Sequence, residues 1–318
     1  MKTNMKRMMK IYGLAALFFA VAWCSRAAEC DLKLEVDNAE FRGGKSAGYG
    51  VFDHGEYPQT VRFKVRLVSG DPCPFFVTFG GVAQGGSRRQ ASSGSEGLEY
   101  QIHDSLNRRM SLKDMPSADA NEVIQSSFGP GETIKELSYV IVVPPGQIKP
   151  SGRYNDAIKV TLYSGTPNDF VQKDSRTVTF SIMVDEVAEM SLAKAGSSFD
   201  PGRKSQAMDF GPLEKGKAKG FDLRVRSNVG YHVTLESENG GVLKNIDPQY
   251  KDTIQYVLKT DGKPVSLGSG RQTPISKNNR LTDPNGDRHE ILVTVGDTSK
   301  VTAGTYRDNV LITVISDN

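Results

Sequence analysis

The sequence predicts an all-β chain of two successive β-sandwiches, and three observations carry that expectation. Short stretches alternate apolar and polar residues with a period of two, which buries one face of a strand and wets the other. Gly, Pro, Asn and Asp cut those stretches, with 32 Gly among 318 residues, as expected of many short strands and tight turns. A phrase at 151–156, Ser-Gly-Arg-Tyr-Asn-Asp, returns at 303–308 as Ala-Gly-Thr-Tyr-Arg-Asp, which points to duplication. The length accommodates two ordinary domains.

The first segment lies outside both sandwiches. Lys2, Lys6, Arg7 and Lys10 precede the apolar run Ile11–Trp23, and Ser25, Ala27 and Ala28 follow. Residues 1–28 therefore read as a secretory signal peptide cleaved after Ala27 or Ala28. The apolar run is too short to span a membrane. A lipoprotein reading on Cys24 is opposed by bulky Trp23 before it. Five of the 40 basic residues and none of the 37 acidic ones fall in this segment, which leaves a mature chain of 35 basic against 37 acidic, net −2. No basic stripe follows, so the electrostatic footprint of a nucleic-acid binder is missing. Cys30 and Cys73 remain. In an exported chain two Cys most often pair, the alternative being two free thiols.

The first sandwich is expected over 29–188. Leu32, Leu34 and Val36 alternate with Lys33, Glu35 and Asp37, and Val61, Phe63, Val65 and Leu67 alternate with Arg62, Lys64 and Arg66. Further strands are expected at 75–79, 98–102, 137–143, 157–163 and 178–184. The spans 85–97 and 112–132 read as polar loops, and 164–175 as a hairpin-like link. The pattern breaks over 187–202, where the junction is placed. The second sandwich, over 189–318, has strands in the stretches 221–225, 228–241, 253–267, 289–297 and 305–315.

The two halves align in three blocks. Residues 75–82 answer 231–238, 98–112 answer 254–267, and 137–162 answer 289–314. Tyr100 and Tyr256 are 156 apart, and Tyr154 and Tyr306 are 152 apart. Ordered blocks at near-constant offset indicate two copies of one domain.

In combination these features resemble the spore coat protein U domain, the fold of subunits in archaic chaperone–usher pili. The matching residues are Cys30 with Cys73 just before a strand, Tyr100 and Tyr256 in Leu/Ile-x-Tyr-x-Ile/Leu strands, and a closing Gly-x-Tyr-x-Asp strand. That strand holds Gly152, Tyr154 and Asp156 in the first copy and Gly304, Tyr306 and Asp308 in the second. The resemblance spans the mature chain, although the second copy lacks both Cys and the first has longer loops. It implies immunoglobulin-like sandwiches lacking one strand. Their groove is filled by a chaperone strand before assembly and then by the N-terminal strand of a neighbouring subunit. The second domain is expected to be incomplete, with Val310, Leu311, Ile312 and Val314 walling its groove and both faces of that strand buried. The alternative is a complete sandwich whose last strand is core.

Only one or two mature residues precede Cys30, too few at about 3.3 Å each for a donor strand. A Cys30–Cys73 bond would tie Leu32–Val36 to its own domain. The chain is thus expected to accept a strand but not donate one. That fits an exported tip adhesin at the cell surface, with the first domain attaching to a surface or supporting biofilm formation. The implied partners are a periplasmic chaperone, an outer-membrane usher, the adjacent pilin, and an abiotic or host surface, with no nucleic acid. Family tip loops grip surfaces with exposed apolar residues. Candidates are Tyr49, Val51, Phe52, Tyr57, Met115, Pro116, Val123, Ile124 and Phe128, all of which could equally fill the core. A stand-alone secreted or coat protein and a carbohydrate-binding sandwich are the rival readings.

No enzyme, cofactor or metal is expected. His54, His103, His232 and His289 lack metal-ligand spacing. Asp283, Asn285 and Asp287 only partly match a Ca²⁺ loop and read as a polar hairpin. No G-x-S-x-G or phosphate-binding loop occurs.

Overall fold

A computed structural model describes residues 30–43, 48–81, 89–106 and 110–317. The signal-peptide segment, Cys24 and the start of the 85–97 loop lie outside these residues. Among the described residues the fold is all-β, with no helix.

Ten strands form the first half: β1 (Asp31–Glu35), β2 (Ala39–Phe41), β3 (Gln59–Ser69), β4 (Pro74–Gly81), β5 (Arg89–Ser93), β6 (Glu96–Asp104), β7 (Ile124–Ser127), β8 (Ile134–Val142), β9 (Gly152–Thr166) and β10 (Asp169–Val184). They make one curled sheet. One layer runs β1-β3-β8-β6 and the other β7-β4-β9-β10-β2, with β5 paired to both β6 and β9 at the fold-over. The alternating strands turn their apolar residues inward, and Leu34, Val65, Phe79, Tyr100, Val160 and Phe180 are buried in one core. Cys30 and Cys73 form a disulfide, which fixes the start of β1 to the loop before β4.

Ten more strands follow: β11 (Ala188–Ala193), β12 (Ala218–Ser227), β13 (Gly230–Ser237), β14 (Val242–Asn245), β15 (Thr253–Thr260), β16 (Lys263–Val265), β17 (Thr273–Asn278), β18 (Asp287–Val295), β19 (Tyr306–Arg307) and β20 (Val310–Asp317). They divide into a layer ordered β11-β12-β18-β15-β14-β19, with β16 on β15, and a layer ordered β17-β13-β20. A second, separate core lies between these layers, around Leu223, Val225, Tyr231 and Val233.

The pairings repeat. β13 lies between β17 and β20 as β4 lies between β7 and β9, and β14 joins β15 to β19 as β5 joins β6 to β9. Register agrees as well. Gly81 faces Ile158 and Ser237 faces Val310, while Ser92 faces Asn155 and Lys244 faces Arg307. The repeated Gly-x-Tyr-x-Asp phrase has a shared geometry. The Tyr154 hydroxyl donates to the Pro150 carbonyl at 3.0 Å and the Tyr306 hydroxyl to that of Thr302 at 2.6 Å, each four residues back. Tyr100 donates to Asp156 at 2.7 Å and Tyr256 to Asp308 at 2.6 Å. Each Tyr pins a strand entry, and each Asp couples that strand to the Tyr of the other layer.

Among the described residues the halves meet around Asn228 and Arg226. Asn228, 1% exposed, donates its Nδ2 to the carbonyls of Asp185 (2.8 Å) and Lys149 (3.1 Å), and its Oδ1 accepts from the Val187 amide at 2.8 Å. Arg226 is ion-paired with Glu189 at 2.8 Å, and its guanidinium lies 4.7 Å from the Phe52 ring and 4.2 Å from the Phe199 ring.

Three expectations are corrected. The break expected over 187–202 contains β11, whose Met190 and Leu192 pair with Val225 and Leu223. The 85–97 loop contains β5 and the start of β6, and Arg89 is buried there, donating to the Phe79 and Leu112 carbonyls. The 112–132 connection contains β7. In each case Ser, Ala or polar residues mask a strand held by neighbours rather than by its own alternation.

Candidate functional site, an unfilled groove in the second half

The two halves differ in one strand. In the first half, β10 returns antiparallel along β9 and pairs in parallel with β2 through Phe180–Ala39 and Ile182–Phe41. Its inward residues Val178, Phe180, Ile182 and Val184 are buried, and the Phe180 ring lies 4.6 Å from that of Tyr100. β10 thus seals the gap between β9 and β2. In the second half, β20 pairs with β13, and among the described residues no strand pairs with its other edge.

The gap there is a cleft of about 1170 Å³ opening between the two layers. Val310, Leu311 and Ile312 form one wall, and Phe221, Tyr256 and Val293 contribute to its lining. Val310, Ile312 and Val314 pack half-buried on the second core, whereas Leu311 is 61% exposed. The expectation that both faces of this strand are buried is therefore corrected. Val310, Ile312 and Val314 take the core side, and Leu311 and Ile315 face outward.

The segment 204–213 lines the cleft as well, with half-buried Met208 and Phe210. It is held by its ends. The Leu192 amide donates to the Arg203 carbonyl at 2.8 Å, Lys204 Nζ to the Met190 carbonyl at 2.7 Å, and Lys219 Nζ to the Asp209 carbonyl. Among the described residues no strand pairs with 204–210 or with the outer edge of β20, so both present unpaired main chain to one cleft, the arrangement an added strand satisfies. Burial first, and then the Asp308 carboxylate, push the Tyr256 hydroxyl above its ordinary range, so it stays a protonated donor.

The proposed surface residues fall elsewhere. Phe52 is buried at the contact between halves, under Arg226. Tyr49 and Val51 are buried, and Tyr57 packs half-buried on the first core. Ile124 and Phe128 belong to that core, with Phe128 5.1 Å from Phe75. Val123 is buried and Met115 half-buried over a smaller cluster of Phe76 and Tyr163. Exposed apolar attachment is corrected for Phe52, Val123, Ile124 and Phe128, because each fills a core or an interface. The exposed large apolar side chains of the first half are Leu106 (93%), Val171 (56%), Val68 (55%), Ile134 (42%) and Phe170 (38%) among the described residues. Phe170 and Val171 follow the β9–β10 turn, about 45 Å along β9 from Gly152 at about 3.3 Å per residue. Their signal is an apolar pair one residue after the turn Pro167–Asn168.

The loop with Ca²⁺-like rhythm is internally bonded. Asp283 accepts from the Asn285 amide at 2.7 Å and Asp287 from the Tyr231 hydroxyl at 2.8 Å. His289 bonds Asp261 at 2.9 Å and Ser276 at 3.1 Å, tying β18 to β17 of the other layer. Asp283, Asp287 and His289 do not line the cleft.

No protein-family model matches the sequence, and no curated protein matches it. Several solved structures are similar. A chaperone–tip subunit pre-assembly complex from the archaic chaperone–usher Csu pili of Acinetobacter baumannii matches at 16% identity and TM-score 0.47, covering 89% of this chain and 99% of that one. The CupB6 tip adhesin of Pseudomonas aeruginosa matches at 11% identity and TM-score 0.37, covering 91% and 94%. CfaE, the adhesive subunit of CFA/I fimbria of enterotoxigenic Escherichia coli, matches at 13% identity and TM-score 0.32, covering 91% and 82%. With every TM-score below 0.5, these neighbours carry no argument about assembly.

Proposed function

We propose that this chain is an exported, non-enzymatic pilus adhesin of the chaperone–usher kind, with an N-terminal domain over 29–188 and a C-terminal domain over 189–318. The second domain is completed by a strand from a partner. One observation carries this reading: the second half repeats the pairings of the first, yet the place β10 occupies is an open apolar cleft. A strand added there bonds through its main chain and fills the cleft with alternate side chains. At about 1170 Å³ the cleft exceeds the usual range for a small-molecule site, which favours an extended peptide. A periplasmic chaperone is the first occupant and an adjacent pilin, delivered at the usher, the second.

The chain accepts rather than donates. The alternating segment Leu32–Glu35 is paired with β3 and buried at Leu32 and Leu34, and the disulfide holds it there. Acceptance without donation suits the fibre tip. Phe170, Val171 and Val68, at the end of the first domain far from the second, are the surface that meets an abiotic or host target in this reading.

The test is to produce the full chain in a periplasm with and without its candidate chaperone, then add a peptide copying a pilin N-terminal strand. The expected result is aggregation alone, solubility with the chaperone, and displacement of the chaperone by the peptide. A soluble monomer indifferent to both overturns the reading in favour of a stand-alone protein.

A further inference from the structure

The groove carries information about which strand it takes, because the first half holds a filled copy of it. Shifting β9 by 152 residues places Gly152 on Gly304, Tyr154 on Tyr306, Asp156 on Asp308, Ile158 on Val310 and Val160 on Ile312. The partner strand β10 sets Val178 opposite Ile158, Phe180 opposite Asp156, Ile182 opposite Tyr154 and Val184 opposite Gly152. Three of these four are aliphatic, and the exception sits at one position.

The reason lies beneath it. The Phe180 ring packs at a tilt against that of Tyr100, centroids 4.6 Å apart, and the Tyr100 hydroxyl is held by Asp156. In the second half, Tyr256 is held by Asp308 in the same way, but its ring is only half-buried and lines the cleft. Among the described residues no aromatic ring stacks on it. The hydroxyl anchor fixes the ring plane, so the missing neighbour has a defined place. On the other wall, Met208 and Phe210 are half-exposed where the first half has fully buried Phe41 of β2, which pairs with β10 beside Ile182.

We propose that the groove selects a strand with an aromatic residue opposite Asp308, seated on Tyr256, and aliphatic residues opposite Val310, Tyr306 and Gly304, running antiparallel to β20. Small or polar residues alternate with these and face outward, as Thr179 and Ser181 do in β10. The natural partner is a strand of another subunit with that pattern, and β10's own sequence fits it. This rests on the strand-acceptor reading above.

The experiment uses the full mature chain and synthetic peptides. The reference peptide copies residues 176–185, Arg-Thr-Val-Thr-Phe-Ser-Ile-Met-Val-Asp. One variant has Ala at the Phe position, one has Leu there, and one exchanges the Phe with the Ile two residues later. Binding is read as the rise in the second-half melting transition and by titration calorimetry. The reference peptide is expected to bind at least tenfold tighter than the Ala and exchanged variants, with Leu between. In a Tyr256→Ala chain the preference for Phe over Ala is expected to shrink severalfold, a double-mutant cycle that reports the contact itself. If that chain fails to fold, the peptide series on the natural chain still decides. Equal binding of all four peptides overturns the aromatic position while leaving the acceptor reading intact. Binding of none overturns both.

Discussion

β9 and the β19–β20 segment carry almost the same phrase and end in different environments. Ile158, Val160 and Leu162 of β9 are at most 1% exposed, whereas Val310, Ile312 and Val314, 152 residues on, are half-buried. Composition does not cause the difference, since both sets are aliphatic and both face a core. The cause is the neighbour. β9 has β4 on one edge and β10 on the other, while β20 pairs, among the described residues, only with β13. Alternation therefore sets which face a strand offers to a core, and the next strand sets how completely that face is covered.

That comparison can be broken most strongly at the strand that makes it. Phe180→Ala deletes a fully buried ring from the first core and is expected to cost about 3–5 kcal/mol. Scanning calorimetry should show the first-half transition falling and the second unmoved. A second-half transition that moves equally would mean that the halves do not unfold separately. Next in size is the joint change Cys30→Ser and Cys73→Ser. It opens a loop with a separation of 43 residues, for which the chain-entropy model gives about 3–4 kcal/mol. Loss should again appear only in the first half, which would then approach the second in stability.

The smallest effect sharpens the comparison between the two corresponding tyrosines, buried Tyr100 and half-buried Tyr256. Tyr100→Phe takes from Asp156 its hydroxyl donor and from the buried Arg89 a hydrogen-bond partner, leaving the carboxylate with the Ala157 amide at 2.8 Å and the charge of Arg89. Tyr256→Phe leaves Asp308 with both Ser237 Oγ at 2.6 Å and the Asn239 amide at 3.1 Å. The first change is expected to cost about 1–3 kcal/mol and the second about 1 kcal/mol or less. Denaturant melts of the two variants give the ordering directly, and equal costs would show that the two Asp sites are energetically alike.

Much of this was legible in the sequence. Period two located Leu32–Val36, Val61–Leu67 and 178–184, the repeat gave the correspondence of halves, and two Cys gave one bond. The strands β5, β7 and β11 were less legible, because Arg89–Ser93, Ile124–Ser127 and Ala188–Ala193 take their places from partners and not from their own pattern. The burial of Phe52, Val123, Ile124 and Phe128 was illegible for a related reason, since an aromatic or aliphatic residue in a polar loop reads alike whether it points out or folds down onto Phe75, Phe76 or Arg226. The role of β10 was hidden too. Its alternation marks 178–184 as a strand, yet only pairing with both β9 and β2 marks it as the closing one.

The Asn228 contact has a mechanical consequence. β9 and β10 run side by side from the Phe170 hairpin to Lys149 and Asp185, whose carbonyls Asn228 holds. Tension applied at the hairpin and resisted at the far end of the second half therefore runs parallel to these strands. Both arms of the hairpin are then loaded along their length together, the two covalent backbones share the force, and the ladder between them is not peeled one rung at a time. The load then passes to β12 through a side chain that is itself out of reach of water. A molecule built this way resists extension along one axis, and it is weakest to a force applied across it.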